Sequence, residues 1–234
     1  MRVLITRPHP DASHTAEELV RRGHRALVDP LLTIEILAAV PPQPGAFSAA
    51  AITSANAARI AGASIQFDPL RVLPLFAVGG HTAAAGRDAG FAKVHDAAGD
   101  AASLAALIAH ALPPGSRVLH LAGADRARDL GALLAPARIV VDVLALYRMR
   151  PAEKFGPAAA ALAAGEIDAV LHFSSRSAAT FAVLAGLHGL VETARKVRHF
   201  CISRTVAAEL AAIGAEPTVA AQPREESLLE LLDS

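Results

Sequence analysis

Three blocks of this chain occur twice, in the same order. Arg2-Val3-Leu4-Ile5-Thr6 reappears as Arg117-Val118-Leu119-His120-Leu121. Ala51-Ile52-Thr53-Ser54-Ala55-Asn56-Ala57-Ala58 reappears from Leu171 to Ser175, followed by Arg176-Ser177-Ala178-Ala179. Ala77-Val78-Gly79-Gly80-His81-Thr82-Ala83 reappears as Cys201-Ile202-Ser203-Arg204-Thr205-Val206-Ala207. A duplication of this kind predicts two similar lobes. Each block reads as a short apolar strand, a turn of small polar residues and a helix. Alternation of that sort predicts an α/β fold, each lobe a parallel sheet flanked by helices. Two lobes make a cleft, and open α/β sheets bind ligands just beyond the carboxyl ends of their strands. The repeated polar residues stand at those ends.

The first copy predicts strands at 3–6, 26–28, 49–53, 75–78 and 92–94, with helices at 12–22, 54–61, 82–89 and 103–111. The second predicts strands at 117–121, 169–173, 199–202 and 217–220, with helices at 125–134, 175–185, 204–213 and 225–232. Gly23, Gly90 and Gly214 follow the last turns of three helices, where glycine serves as a stop. Two stretches depart from the plan, 32–37 and 140–149, each an extended apolar run leading out of the first block of its copy. Paired as a two-stranded antiparallel connector, they would place 1–31 with 150–234 in a discontinuous lobe and 38–139 in an inserted one. Sequential lobes, 1–112 and 113–234, are the alternative.

Apolar residues make up 53% of the 234, but aromatics only 4%, which suits alanine-rich helices packed close to sheets. Acids and bases balance at 22 each, so no global field draws the chain to nucleic acid or a membrane surface. Anion binding must come from local placement. The single cysteine, Cys201, excludes an internal disulfide and a thiolate metal cluster. The first strand begins at Val3 with no basic-then-apolar leader, and a cytoplasmic protein is expected. No repeated apolar surface pattern asks for a partner, so a monomer is expected.

Arginines follow three strand ends of the discontinuous lobe: Arg7 after Thr6, Arg176 after Ser174-Ser175, and Arg204 after Ser203. Arginine binds carboxylates and phosphates bidentately; the plain alternative is a solvated surface arginine. The inserted lobe has no arginine at the matching positions. It offers Thr53-Ser54-Ala55-Asn56 and Gly79-Gly80-His81-Thr82, small residues at helix starts whose N–H groups suit anions. Ser54, Ser175 and Thr205 read equally well as N-caps, and Asp11, Asp125 and Asp129 as caps or first-turn acids. Neither GxGxxG nor GxxxxGK[ST] occurs, nor GxSxG, HExxH or HxxxH. Tyr147, the only tyrosine, ends the second connector strand, where its phenol could donate a proton or simply pack.

These residues resemble the uroporphyrinogen-III synthase family across nearly the whole chain. The resemblance rests on Thr6-Arg7-Pro8, Leu19 with Gly23-His24, Pro30-Leu31, Thr53-Ser54-Ala55-Asn56-Ala57, Ala77-Val78-Gly79 with Thr82-Ala83, and Gly99-Asp100. It continues with Val118-Leu119-His120-Leu121, Tyr147-Arg148, Phe173-Ser174-Ser175 with Ser177-Ala178, and Ile202-Ser203 with Val206-Ala207. It implies two α/β lobes joined by a two-stranded ladder. It also implies cyclisation of hydroxymethylbilane, with inversion of ring D, loss of water and no cofactor. The resemblance places Tyr147 where the family has a tyrosine considered as the acid. Thr6, Arg7, Thr53, Ser54, Asn56, Gly79, Gly80, Thr82, Ser174, Ser175, Arg176, Ser177, Ser203, Arg204 and Thr205 are the expected substrate contacts. The small-molecule substrate is the expected partner, and a transient contact with the preceding enzyme of the pathway is admitted. Two departures stand out: Ala122-Gly123 where the family often has Arg-Gly, and Val206 in place of a second threonine. The competing reading is a non-catalytic two-lobed binding protein or sensor for an anionic metabolite or tetrapyrrole.

Overall fold

The computed structural model describes residues 1–125 and 129–233. The chain runs through β1 (Arg2–Ile5), α1 (Asp11–Arg21), β2 (Arg25–Val28) and β3 (Leu32–Ile36). Next come β4 (Ala49–Ile52), α2 (Ala55–Gly62), β5 (Leu75–Ala77), α3 (Gly80–Asp88), β6 (Val94–Asp96) and α4 (Ala101–Ala111). They are followed by β7 (Arg117–Gly123), α5 (Leu130–Leu134) and β8 (Val140–Pro151). The last stretch holds α6 (Ala158–Ala163), β9 (Ala169–His172), α7 (Ser175–Leu187), α8 (Val191–Lys196), β10 (Arg198–Cys201), α9 (Arg204–Ala208), β11 (Thr218–Val219) and α10 (Glu225–Leu229).

Two compact units emerge, Met1–Ile34 with Arg150–Ser234, and Glu35–Met149. The first holds a five-stranded sheet in the order β11-β10-β9-β1-β2, with parallel neighbours throughout. The second contributes β8-β7-β4-β5-β6, again parallel, and β3 extends this sheet beyond β8. Aligned position by position, β1 matches β7, and β9 and β10 match β4 and β5. The repeats seen in the sequence are therefore equivalent in space. The first half of one copy pairs with the second half of the other, so each sheet is assembled from both copies. Hydrogen bonds from Ala152 N to Leu31 O, Thr33 Oγ1 to Arg150 O and Leu37 N to Leu146 O join residues whose numbers rise on one strand and fall on the other. That ladder of β3 and β8 is antiparallel.

Strand residues alternate between two faces, and both faces of the first sheet are covered. Val3 and Ile5 pack with Leu19, Leu228 and Phe200, while Leu4 packs with Phe181, Leu184 and Leu210. This explains why β1 reads as an unbroken apolar run rather than an alternating one. In the second unit Ala49, Ala51, Phe76 and Val118 meet Leu104, Ile108 and Leu134 from α4 and α5. The abundant alanine and glycine let helices approach closely: a Cβ on Gly62 of α2 would stand 2.9 Å from Ala89, just past α3.

Several expectations change in detail. The helix expected at 125–134 is described only as α5, and 126–128 lie outside the described residues. The 204–213 helix narrows to a 3-10 turn after Ala208, and the 225–232 helix does so after Leu229. The strand expected at 92–94 lies at β6 instead, set by the parallel pairing of Leu75 with Val94. α6 and α8 lie where the sequence reading places no helix. α6 has no side-chain cap of its own, but Asp29, at the end of β2, accepts from Gly156 N and Ala158 N at 2.9 and 3.0 Å. Burial pushes the Asp29 carboxyl above its ordinary range, against the pull of those two bonds. Among the described residues no helix is long and apolar enough to cross a membrane.

A buried imidazole pair lies in the first sheet. His199 Nε2 donates to Ala194 O at 2.9 Å, so a neutral His199 must accept at Nδ1, 3.0 Å from His172 Nε2. Burial holds His172 well below the usual imidazole range and His199 below it too, the latter opposed by its bond to Ala194. The unfolded chain thus binds more protons than the folded one below about pH 6.5. Stability is full above that pH and falls as pH drops through it, by up to about 1.4 kcal/mol per pH unit for each imidazole. Denaturant melts between pH 8 and 5 will show this decline, and His172→Leu will flatten it. Burial likewise pushes the Cys201 thiol up to about 12, which makes it an inert core residue.

Candidate active site

In the first unit β10, β9 and β1 are neighbours, so their carboxyl ends form one rim carrying Thr6-Arg7, Phe173-Ser174 and Ile202-Ser203. Ser174 and Ser203 are the N-caps, accepting from Ser177 N and Val206 N at 3.1 and 3.4 Å. Ser175 and Thr205, expected as caps, instead lie within the first turns of their helices. The cap needs extended backbone, which Ser174 adopts one residue before Ser175 and Ser203 two residues before Thr205. Of the two roles open to Asp11, it takes that of first-turn acid and not cap: Pro10 precedes α1, and the Asp11 carboxylate turns to Arg7.

The rim residues divide by burial. Thr6 Oγ1 donates to Leu171 O at 3.2 Å, and Ser177 Oγ donates to Thr6 O at 3.3 Å. Both side chains are buried, so they brace the rim rather than face a ligand. Arg7 is also committed inward. Its guanidinium meets Glu225 at 2.9 Å and Asp11 at 3.2 Å, and lies 4.1 Å over the Phe173 ring. The Arg7 side chain is 17% exposed. Arg176, Arg204 and Thr205 are exposed, and Ser174, Ser175 and Ser203 half-buried.

In the second unit the equivalent rim gathers around the start of α2. Tyr147, 7% exposed, donates from its phenol to Ser54 Oγ at 2.9 Å. Ser54 caps α2 and accepts from Asn56 N at 3.2 Å. Two donors thus occupy the Ser54 lone pairs, leaving its own hydroxyl hydrogen to offer. The phenol reaches this point through a register slip: Ala122 pairs with Ala145 but Gly123 with Tyr147, so Leu146 is the extra residue of a bulge in β8. Bulges re-aim side chains in this way. A Cβ on Gly123 would stand 2.9 Å from the Tyr147 ring, so only glycine admits the tyrosine there. Thr53 Oγ1 lies 3.1 Å from His120 Nε2.

At the start of α3, Gly79 provides no side-chain cap, and Thr82 is buried. Thr82 belongs to the α3 packing face and not to a ligand surface. An Asp96 oxygen lies 3.4 Å from where a Cβ on Gly80 would stand, so an acid already flanks this helix start. That charge disfavours a second anion there. Sequence reasoning missed Arg59. Its guanidinium donates to Asn56 Oδ1 at 3.0 Å and lies 3.4 Å from His81 Nε2, bringing a cation to a rim expected to have none. The signal was an arginine one helical turn beyond the cap, which the arginines directly after strand ends overshadowed. No group of three or more metal-binding side chains occurs among the described residues.

No curated protein is significantly similar to the chain in sequence. Among solved structures, uroporphyrinogen-III synthetase from Helicobacter pylori 26695 is similar with a TM-score of 0.68 at 19% identity, over 99% of this chain and 98% of that one. A mutant uroporphyrinogen III synthase from the extremely thermophilic bacterium Thermus thermophilus gives 0.57 at 21% identity, over 100% and 97%. At such identities the likeness establishes the fold. The family model for uroporphyrinogen-III synthase HemD matches residues 13–230, nearly the whole length. This chain belongs to the uroporphyrinogen-III synthase family.

Proposed function

We propose that this chain cyclises hydroxymethylbilane to uroporphyrinogen III, inverting ring D with loss of water, in tetrapyrrole biosynthesis. The family match over residues 13–230 carries the reading, and the Tyr147–Ser54 pair supplies a proton donor that suits it. Departure of the bilane hydroxyl as water needs one proton. Ser54 Oγ keeps its own hydrogen to offer while it accepts from the phenol, so a proton given up by Ser54 is replaced from Tyr147. Tyr147 then acts as the acid through Ser54. Holding the chain for closure through the inverted ring is a positioning task, and it suits half-buried hydroxyls and helix starts better than a covalent nucleophile.

Among the expected contacts, Arg176, Arg204, Ser174, Ser175, Ser203 and Thr205 of the first unit and Ser54 and Asn56 of the second are the side chains suited to the substrate carboxylates. Arg204→Ala and Arg176→Ala will each raise KM by about fivefold to tenfold and leave kcat nearly unchanged, as loss of uniform binding does. Steady-state kinetics on fresh bilane checks this. The reaction itself is tested by bilane consumption: a rate above spontaneous closure and proportional to protein is expected. The spontaneous rate alone would reject the enzyme and favour a binding protein.

A further inference from the structure

The second unit holds a cavity of about 340 Å³ apart from the Tyr147–Ser54 pair. Leu37, Ile60, Phe67 and Leu146 supply its apolar walls, and Arg59, Ser64 and Gln66 its polar lining. Small-molecule sites have this character, a mostly apolar hollow of at least about 300 Å³ with a few placed polar groups. Leu146 is the extra residue of the β8 bulge, so one register slip supplies this wall and carries Tyr147 to Ser54. Arg59 links the hollow to the rim, since the side chain that lines it also bonds Asn56 at the start of α2.

Apolar walls with a guanidinium among them select a flat apolar body bearing a carboxylate. Phosphate or a sugar would leave the walls unused, and a neutral ring would leave the fork unused. The volume suits one small ring with short arms, not a four-ring chain. We propose that this cavity is a subsite for one pyrrole ring of the substrate, with Arg59 gripping a carboxylate on that ring's side chain. The assignment rests on the bilane reading above, and it would make the second unit the one that fixes the position of a single ring while closure proceeds.

Two variants test it. Arg59→Gln removes the charge while keeping a hydrogen-bonding side chain, and Ala63→Trp fills the hollow from an exposed position on its lining. Each is expected to raise KM for hydroxymethylbilane about tenfold with kcat within about twofold, and circular dichroism melts show whether the fold is kept. Unchanged KM in both folded variants overturns the subsite while leaving the enzyme reading intact. Should the wild type fail to consume the bilane, the enzyme reading falls and a separate titration decides the cavity. A pyrrole carrying one acetate and one propionate is then added to the labelled full chain. Amide shifts at Leu37, Ile60 and Phe67 that vanish in Ala63→Trp keep it as a carboxypyrrole site, and their absence overturns it.

Discussion

Tyr147→Phe will lower kcat about a hundredfold, the low end of what a positioned general acid contributes, with little change in KM. Tyr147 is 7% exposed and its phenol spends its proton on Ser54 Oγ, so it has little surface with which to bind substrate. Ser54→Ala removes the group through which that proton would pass and should cost about as much. It also removes a helix cap worth about 1 kcal/mol, so its stability must be measured beside its rate. The double variant should be little slower than either single one, because residues that act as a unit are not additive. Full activity in Tyr147→Phe would remove the acid role. Additive losses in the double variant would separate the two residues.

The second large effect concerns stability. Arg7→Ala will destabilise the fold by about 2–3 kcal/mol, below the loss seen when a fully buried pair is broken because this cluster keeps some solvent contact. The change strands the Asp11 and Glu225 carboxylates close together and strips the cation from the Phe173 ring. Glu225 opens α10, whose Leu228 and Leu229 complete one face of the first core. The loss should therefore loosen the C-terminal helix against β1. Urea denaturation will show the lower midpoint. A variant of normal stability with a raised KM would instead return Arg7 to the substrate-binding set.

Arg7, Arg176 and Arg204 look alike in the sequence, each just past a strand end. Only the fold distinguishes them, because the second of the two acids that hold Arg7, Glu225, lies 218 residues away. The α/β class and the strands themselves were legible, since sheets covered on both faces demand continuous apolar runs such as Val3-Leu4-Ile5. Helix stops were legible too: Gly23, Gly90 and Gly214 all adopt positive φ. Ser54 and Asp129 are caps as read, whereas the caps of α7 and α9 were misplaced by one or two residues because Ser174-Ser175 and Ser203-Arg204-Thr205 each offer more than one hydroxyl or turn residue. Thr6, Ser177 and Thr82 read as polar contacts, yet their hydroxyls lie within the packing. Arg59 was passed over for the converse reason: it stands inside a helix rather than at a strand end, and its neighbour His81 comes from the next helix. Position after a strand end thus identified the rim but not which side chains it exposes.

The most direct test of the synthase assignment is the isomer composition of the product. Fresh hydroxymethylbilane is incubated with the full chain, the products are oxidised, and porphyrin isomers I and III are separated. Isomer III in excess and in proportion to protein is expected. Isomer I alone, the product of spontaneous closure, from a folded sample would contradict the assignment.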